Sequence, residues 1–152
     1  MAQSTKAKSI SVESIEIANQ QKTKRINKKE VKHKLKNVFS LLKLSSQYAS
    51  FVLFDNKTIK KLNKKFFKKD TATDVIAFPL GGDFDNQYLG EVVVSVEMAV
   101  EVARKLSLRW QDELMRYLIH GILHLLGYSD KTKVLRNKMQ RKQEKILLLL
   151  NH

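Results

Sequence analysis

An α+β fold, with a small mixed sheet of four strands packed against about five helices, is predicted by three features of the sequence. Short runs of β-branched and aromatic residues alternate with longer segments whose apolar residues recur three and four apart, so strands and helices interleave through the first half. The last two strand runs are separated only by a short segment containing Gly81 and Gly82. That spacing predicts one antiparallel pair in a sheet that is parallel where helices cross over. Three helical segments in succession then close the chain.

Taken in order, Ile10 to Asn19 carries Val12, Ile15 and Ile17 among polar residues and reads as the first strand. Asn27, with Glu30 three residues later, resembles a capping box, and Val31, Leu35, Val38 and Leu42 then keep helical spacing over about residues 28–43. Tyr48 to Phe54 is rich in aromatic and branched residues and suits a strand buried on both faces. Ile59, Leu62 and Phe66 mark the next helix. Thr73 to Leu80 and Leu89 to Val96 are the last two strands, the second carrying Val92, Val93, Val94 and Val96. In the first closing helix Val96, Ala99, Val100, Ala103 and Leu106 are expected to face the core. The second covers Asp112 to Leu126 and the third Thr132 to about Leu149, whose leucine run from Ile146 to Leu150 is expected to pack onto the domain.

At 152 residues the chain fits one domain over 1–152, with residues 1–9 set apart as a candidate disordered lead-in. No internal repeat or Pro-rich linker divides it, and the single proline, Pro79, ends a strand run. Hydrophobic residues make up 43% and charged residues 29%, a globular balance. No apolar run approaches the roughly 20 residues that a membrane helix requires, so a soluble protein without a membrane partner is expected. The first residues include Lys6 and Lys8 but no apolar core of a secretory signal. The absence of cysteine fits a cytoplasmic location and excludes thiolate ligands and thiol catalysis. Any metal here must be held by His, Asp or Glu.

A net charge of +14 creates a field that attracts polyanions. The cations are bunched: eight basic residues lie from Lys22 to Lys36, seven from Lys57 to Lys69, and seven from Lys131 to Lys145, where Glu144 is the lone acid. A single lysine-rich helix face is commonly just solvated. Three such runs favour a phosphate-binding surface and point to RNA, with Lys60, Lys61, Lys64 and Lys65 as the candidate contacts. The basic segments lack the continuous aromatic and leucine face of a helix that lies on membranes.

The segment most specific for chemistry runs from His120 to Asp130: His-Gly-Ile-Leu-His-Leu-Leu-Gly-Tyr-Ser-Asp. Residues four apart share a helix face, so the imidazoles of His120 and His124 can bind one zinc ion at the end of a helix in the C-terminal half. Gly127 stands where that helix should end, and glycine readily adopts the left-handed conformation that reverses the chain. The turn can then return Asp130 to the same metal, one ion per chain. Three protein ligands leave an open position for water or substrate, which distinguishes a catalytic from a structural zinc site. A histidine pair alone could as well be core or surface residues; the glycine and the acid at these spacings make the pattern specific. His33, in a lysine-rich helix, and His152, at the end, are expected to be solvated.

These residues resemble the YbeY endoribonuclease family, the rRNA maturation factors, whose motif His-Gly-x-Leu-His-Leu-x-Gly-Tyr is matched by residues 120–128. Leu62-Asn63 and the run Thr73-Asp74-Val75-Ile76-Ala77-Phe78-Pro79 are similar to the family's Leu-Asn and Thr-Asp-Val-Leu-Ser-Phe-Pro segments. Leu89 to Ser95 resembles its Leu-Gly-Asp-Ile-x-Ile-Ser strand. The resemblance covers roughly residues 10–149 in order and spacing. It implies an α+β fold and metal-dependent cleavage of single-stranded or ribosomal RNA. It also implies a role in maturation of the small-subunit rRNA 3′ end and in ribosome quality control, with the ribosome or its small subunit as partner. Two departures stand out. Asp130 replaces the family's third histidine, and carboxylate oxygen also binds zinc. Phe67 stands where the family has an arginine, which removes one fork for phosphate; Lys68, Lys69 or Arg116 could substitute. Arg116 lies one turn before His120, where an ion pair with Asp112 or Glu113 is an equal expectation.

The general base is not identified by sequence. Asp74 and Glu91 are candidates only through the family-like segments around them, and strand-end capping and surface charge are their plainer roles. Two other functions compete. A metalloprotease could share the layout, but Gly121 occupies the place where such enzymes carry a glutamate. A non-enzymatic ribosome-binding module could use zinc structurally. Cleavage of casein or of RNA, and its sensitivity to chelation, separates the three.

Overall fold

The branched run Val92–Val94 decides the architecture, because three consecutive buried valines need apolar cover on both sides of a sheet. A computed structural model describes residues 15–79 and 87–151. In chain order the elements are β1 (Ile15–Asn19), α1 (Lys28–Leu41), β2 (Tyr48–Phe54), α2 (Asn56–Phe67), β3 (Val75–Pro79), β4 (Tyr88–Ser95), α3 (Val96–Leu106), α4 (Trp110–Leu125) and α5 (Lys133–Leu150). The four strands form one mixed sheet in the order β1-β2-β4-β3. The expected α+β class and mixed sheet are therefore present. The start of the first strand at residues 10–14, the lead-in 1–9, the turn at Gly81–Gly82, the end of the third strand at Leu80, and His152 lie outside the described residues.

Parallel pairing joins β1 to β2, with Ile17 opposite Phe51, and β2 to β4, with Leu53 opposite Val94. The final pair is antiparallel, with Ala77 opposite Val92. One expectation needs correction. Although α2 separates β2 from β3, these strands neither pair nor run parallel, because β4 inserts between them. The valine-rich strand takes the interior, and the shorter β3, ending at Pro79, takes the edge, where a missing N–H costs no ladder bond.

Alternation along the strands divides the apolar residues between two faces. Phe51, Leu53, Val92 and Val94 meet α1, α4 and α5 in the main core with Leu35, Val38, Leu118, Ile122 and Met139. Val93 and Ile76 point to the other face and pack with Ile59 of α2. Only one face of β2 is fully buried, the other being half-covered, so the expectation of two equally buried faces is modified.

Local chemistry sets the helix ends. Asn27 accepts the Glu30 N–H at the start of α1, Ser95 caps α3 through Met98, and Thr132 caps α5 through Leu135. Lys68 and Ser107 end α2 and α3 in the left-handed conformation. Leu106, expected in the core, is 60% exposed because α3 stops there and the chain turns away. Phe66 is likewise exposed. In the terminal leucine run Ile146 and Leu147 are buried, while helical rotation carries Leu148 and Leu149 to solvent.

Gly121 in α4 packs directly against the sheet. A Cβ placed there would collide with Cγ1 of Val92 and would stand 3.0 Å from its Cγ2 and 3.2 Å from Cγ2 of Val75. Gly121→Ala should therefore lower stability by about 1–3 kcal/mol through overpacking, against a helix-propensity gain of about 1 kcal/mol. Chemical-denaturation midpoints measure the balance, and an unchanged or raised midpoint would mean that α4 can lift from the sheet without cost.

Candidate metal centre

The side chains of His120 and His124 project from the last turns of α4, whose apolar positions Leu118, Ile119, Ile122 and Leu123 are buried against the sheet and the neighbouring helices. Their rings meet nearly edge to face, with centroids 4.7 Å apart and an interplanar angle of 79°. Just beyond, the helix terminates through Gly127 at φ +97°, with Tyr128 N–H donating to the Leu123 carbonyl and Gly127 N–H to that of His124. This pair of bonds is a Schellman termination, and its reversal brings the following loop back over the helix end. Asp130 arrives beside the histidines, its main-chain carbonyl held by Arg136 Nη1 at 3.1 Å. Ligand atoms of His120, His124 and Asp130 all lie within 4.8 Å of one another.

The hydrogen bonds determine which ring atoms face inward. Gln143 donates its amide N–H to Glu144 at 3.1 Å, so its carbonyl Oε1 faces His120 Nδ1 at 2.8 Å and accepts from it. His124 Nδ1 lies 3.2 Å from the Tyr128 carbonyl and donates there. With both Nδ1 atoms protonated, the two Nε2 atoms carry lone pairs, and they face each other at 3.1 Å. Asp130 Oδ2 lies 3.5 Å from His124 Nε2. Donors about 2.0–2.1 Å from a tetrahedral ion stand about 3.3–3.4 Å apart, which the His120–His124 and His124–Asp130 separations approach, while the whole set lies within 4.8 Å. In that tautomer the inward-facing atoms are all acceptors, an arrangement suited to a cation among them. Burial and the neighbouring His120 lower the pKa of His124, outweighing the opposing pull of Asp130 and the Tyr128 carbonyl. Its ring thus stays neutral, the form a metal needs.

Two cavities of about 570 Å³ adjoin this cluster. One is lined by His120, Asp74, Arg116, Tyr117 and Gln143, the other by His124, Asn63, Phe67, Lys69 and Thr73, and Asp130 borders both. Asp74 is exposed at the start of β3, where its Oδ1 accepts from Val75 N–H at 2.8 Å and from the Thr73 hydroxyl at 3.3 Å. The capping role foreseen for it is present, together with a place at the cavity rim. Glu91 is directly opposite Phe78 and on the sheet face of Val93 and Ile76, away from α4. It is not brought to the cluster.

Arg116 is engaged by carboxylates. Its Nε lies 3.0 and 3.1 Å from the two oxygens of Glu144, and its Nη1 lies 3.1 Å from Glu113. Of the partners expected for it, Glu113 is present and Asp112 is not. Burial works against the guanidinium charge, but Glu144 and Glu113 outweigh this and raise its pKa. Burial, with the fields of Glu113 and Asp74, also raises the pKa of Tyr117 and keeps its hydroxyl protonated. Gln143 and Glu144 were not foreseen as site residues. The lone acid within a run of seven cations was a signal for Glu144, whereas nothing local marks Gln143, which meets His120 only because α5 packs on α4.

Lys60, Lys61, Lys64 and Lys65 are exposed on α2, and Lys60 and Lys64 share Asp70 at 4.0 and 3.9 Å. Such long, exposed pairs are weak and leave the cations available to phosphate. His33 is exposed, as expected.

The family model described as Endoribonuclease YbeY matches residues 16–151. The Endoribonuclease YbeY of Carboxydothermus hydrogenoformans is 41% identical over 101 residues, covering 66% of this chain and 71% of its own. That of Aquifex aeolicus is 34% identical over 128 residues, covering 84% and 85%. A solution structure of a Thermotoga maritima protein is similar with a TM-score of 0.59 at 28% identity, covering 87% of this chain and 88% of that one.

If Gln143 fixes the His120 tautomer, Gln143→Leu should weaken binding of a divalent transition-metal ion roughly 10- to 100-fold without unfolding the chain. Competitive metal titration with a chromophoric chelator, beside circular dichroism, measures both. Undiminished affinity would show that His120 is oriented by packing alone.

Proposed function

The chain belongs to the YbeY endoribonuclease family, and on that premise we propose that it is a zinc-dependent, single-strand-specific endoribonuclease. Its biological substrate in this reading is ribosomal RNA, in maturation of the small-subunit 3′ end and in ribosome quality control. Residues 1–152 act as one catalytic domain in the cytoplasm, with one zinc ion per chain. The observation that carries the reading is the convergence of His120 Nε2, His124 Nε2 and an Asp130 oxygen beside two open cavities. Among the described residues no helix is long and apolar enough to cross a membrane.

His120, His124 and Asp130 would hold the ion, which supplies Lewis acidity toward a phosphoryl oxygen and a lowered pKa for water. The residues of the chain account for the rest. Gln143 and the Tyr128 carbonyl keep both imidazoles in the ligating tautomer. In this reading Asp74, at the rim of the cavity that His120 lines, would take a proton from the attacking group. Glu91 lies on the other sheet face and is not placed for that task. Arg116, neutralised by two carboxylates, serves the site by bracing α4 against α5 in place of binding phosphate. The exposed lysines of α2 draw the RNA backbone toward the cleft. A peptidase reading is disfavoured by Gly121, where the sheet leaves no room for even a Cβ, let alone a catalytic glutamate.

Metal analysis coupled to cleavage of single-stranded RNA, with and without chelator, tests the whole reading. One zinc per chain and chelator-sensitive cleavage are expected. Asp130→Ala should bind zinc much more weakly and cleave poorly, and Asp130→His should restore both, since imidazole nitrogen also ligates zinc. Full zinc and full activity in Asp130→Ala would remove Asp130 from the ligand set and leave it as a loop residue. Replacing Lys60, Lys61, Lys64 and Lys65 by glutamate should weaken RNA binding and flatten its salt dependence while zinc content stays constant.

A further inference from the structure

The replacement of the family's arginine by Phe67 leaves an aromatic ring where a phosphate-binding fork is expected, and the structure shows what surrounds it. Phe67 is the last residue of α2 and is 48% exposed, although it is among the largest apolar side chains of the protein. It lines the same cavity as His124 and Asp130, with Lys69 also on the wall. Its ring lies roughly parallel to that of Phe78, with an interplanar angle of 29° and a centroid distance of 6.2 Å. Phe66 meets Phe78 edge-on at 5.3 Å and braces it from the side. Phe67 is thus steadied by Phe78, which Phe66 braces in turn, and is left with about half of its surface open.

Burial does not explain this ring, and an isolated exposed apolar side chain would need no explanation. Here, however, Phe67 extends the Phe66–Phe78 ring cluster to the wall of the cavity that also holds His124 and Asp130, and lysines at 64, 65, 68 and 69 lie at the end of α2. An aromatic face next to cations is the combination that holds single-stranded nucleic acid: bases stack, and phosphates pair with the lysines. Duplex RNA cannot use such a face, because its bases are already stacked.

Resting on the nucleolytic reading above, we propose that Phe67 is a stacking platform for one unpaired base of the RNA next to the bond to be cleaved. In this chain the subsite binds through a base face where an arginine would bind through phosphate. Phe67 is therefore a specificity-determining residue that selects for an unstacked base and makes abasic strands poor ligands. It acts without zinc, so its contribution is measurable on the metal-free protein.

The experiment measures binding of the full chain, in the presence of chelator, to a short fluorescein-labelled single-stranded RNA and to a strand of the same length lacking all bases. Phe67→Ala should weaken binding of the intact strand roughly five- to hundredfold, the loss expected of one base stack. It should leave binding of the abasic strand unchanged. Phe67→Trp should retain affinity, and its fluorescence should be quenched by the intact strand beyond any response of Trp110. Phe66→Ala, which removes a brace but not the platform, should cost less than Phe67→Ala. Equal losses on both strands, or none on either, would overturn the stacking site while leaving the nuclease reading standing. Failure of the wild-type chain to bind the intact strand under chelation would likewise overturn the stacking site, while the nuclease reading stands or falls on the zinc and cleavage test above.

Discussion

The site depends on one steric fact: α4 can lie against β3 and β4 only because residue 121 has no side chain. Val92 and Val75 fill the space that a Cβ would take, and this contact sets the depth at which the helix sits. His120 and His124 flank that glycine in sequence, so the depth of the helix also sets the height of their rings above the sheet edge. The loop from Gly127 to Asp130 and the α5 side chain of Gln143 are then measured from the same reference. A helix held farther out would keep its secondary structure and lose the convergence of three candidate ligand atoms.

Around that centre the charges are sorted. The chain as a whole carries +14, yet the cavity beside His120 is bordered by Asp74, Glu113 and Glu144, with Arg116 locked between the last two. Apart from Arg136, which also lines this cavity and holds the Asp130 carbonyl, most cations lie on the exposed faces of α1, α2 and α5. A polyanion is therefore attracted over long range by the surface, while the interior of the cleft remains suited to a bound cation. Arg116 contributes by satisfying two carboxylates that would otherwise repel each other where α4 meets α5.

Much of this was legible in the sequence, for local reasons. The spacing of His120 and His124 is a property of any helix, the stop at Gly127 follows from the freedom of glycine at positive φ, and Asn27 with Glu30 marks a helix start wherever it occurs. What was not legible depends on partners remote in the chain. The insertion of β4 between β2 and β3 follows from competition for buried positions, which no single segment reveals. Gln143 reaches His120 across 23 residues of sequence, and Glu144 reaches Arg116 across 28. The exposure of Leu106 came from the point at which a helix ends, a boundary that periodicity defines poorly. Glu91, attractive in its family-like strand, is excluded from the cluster by the two-residue alternation of that strand once the register is known.

The ligand cluster stands on a saddle between two cavities, with Asp130 common to both. A blind pocket would admit only the end of a polymer, because the chain would have nowhere to continue past the reacting bond. A saddle imposes no such condition. On the proposed reading a strand would enter on the Phe67 side, pass His124, Asp130 and His120, and leave past Asp74. On such a path the distance from the cut to either end would not matter to binding, and the position of cleavage would pass to the local features that let a few nucleotides fit the two slopes.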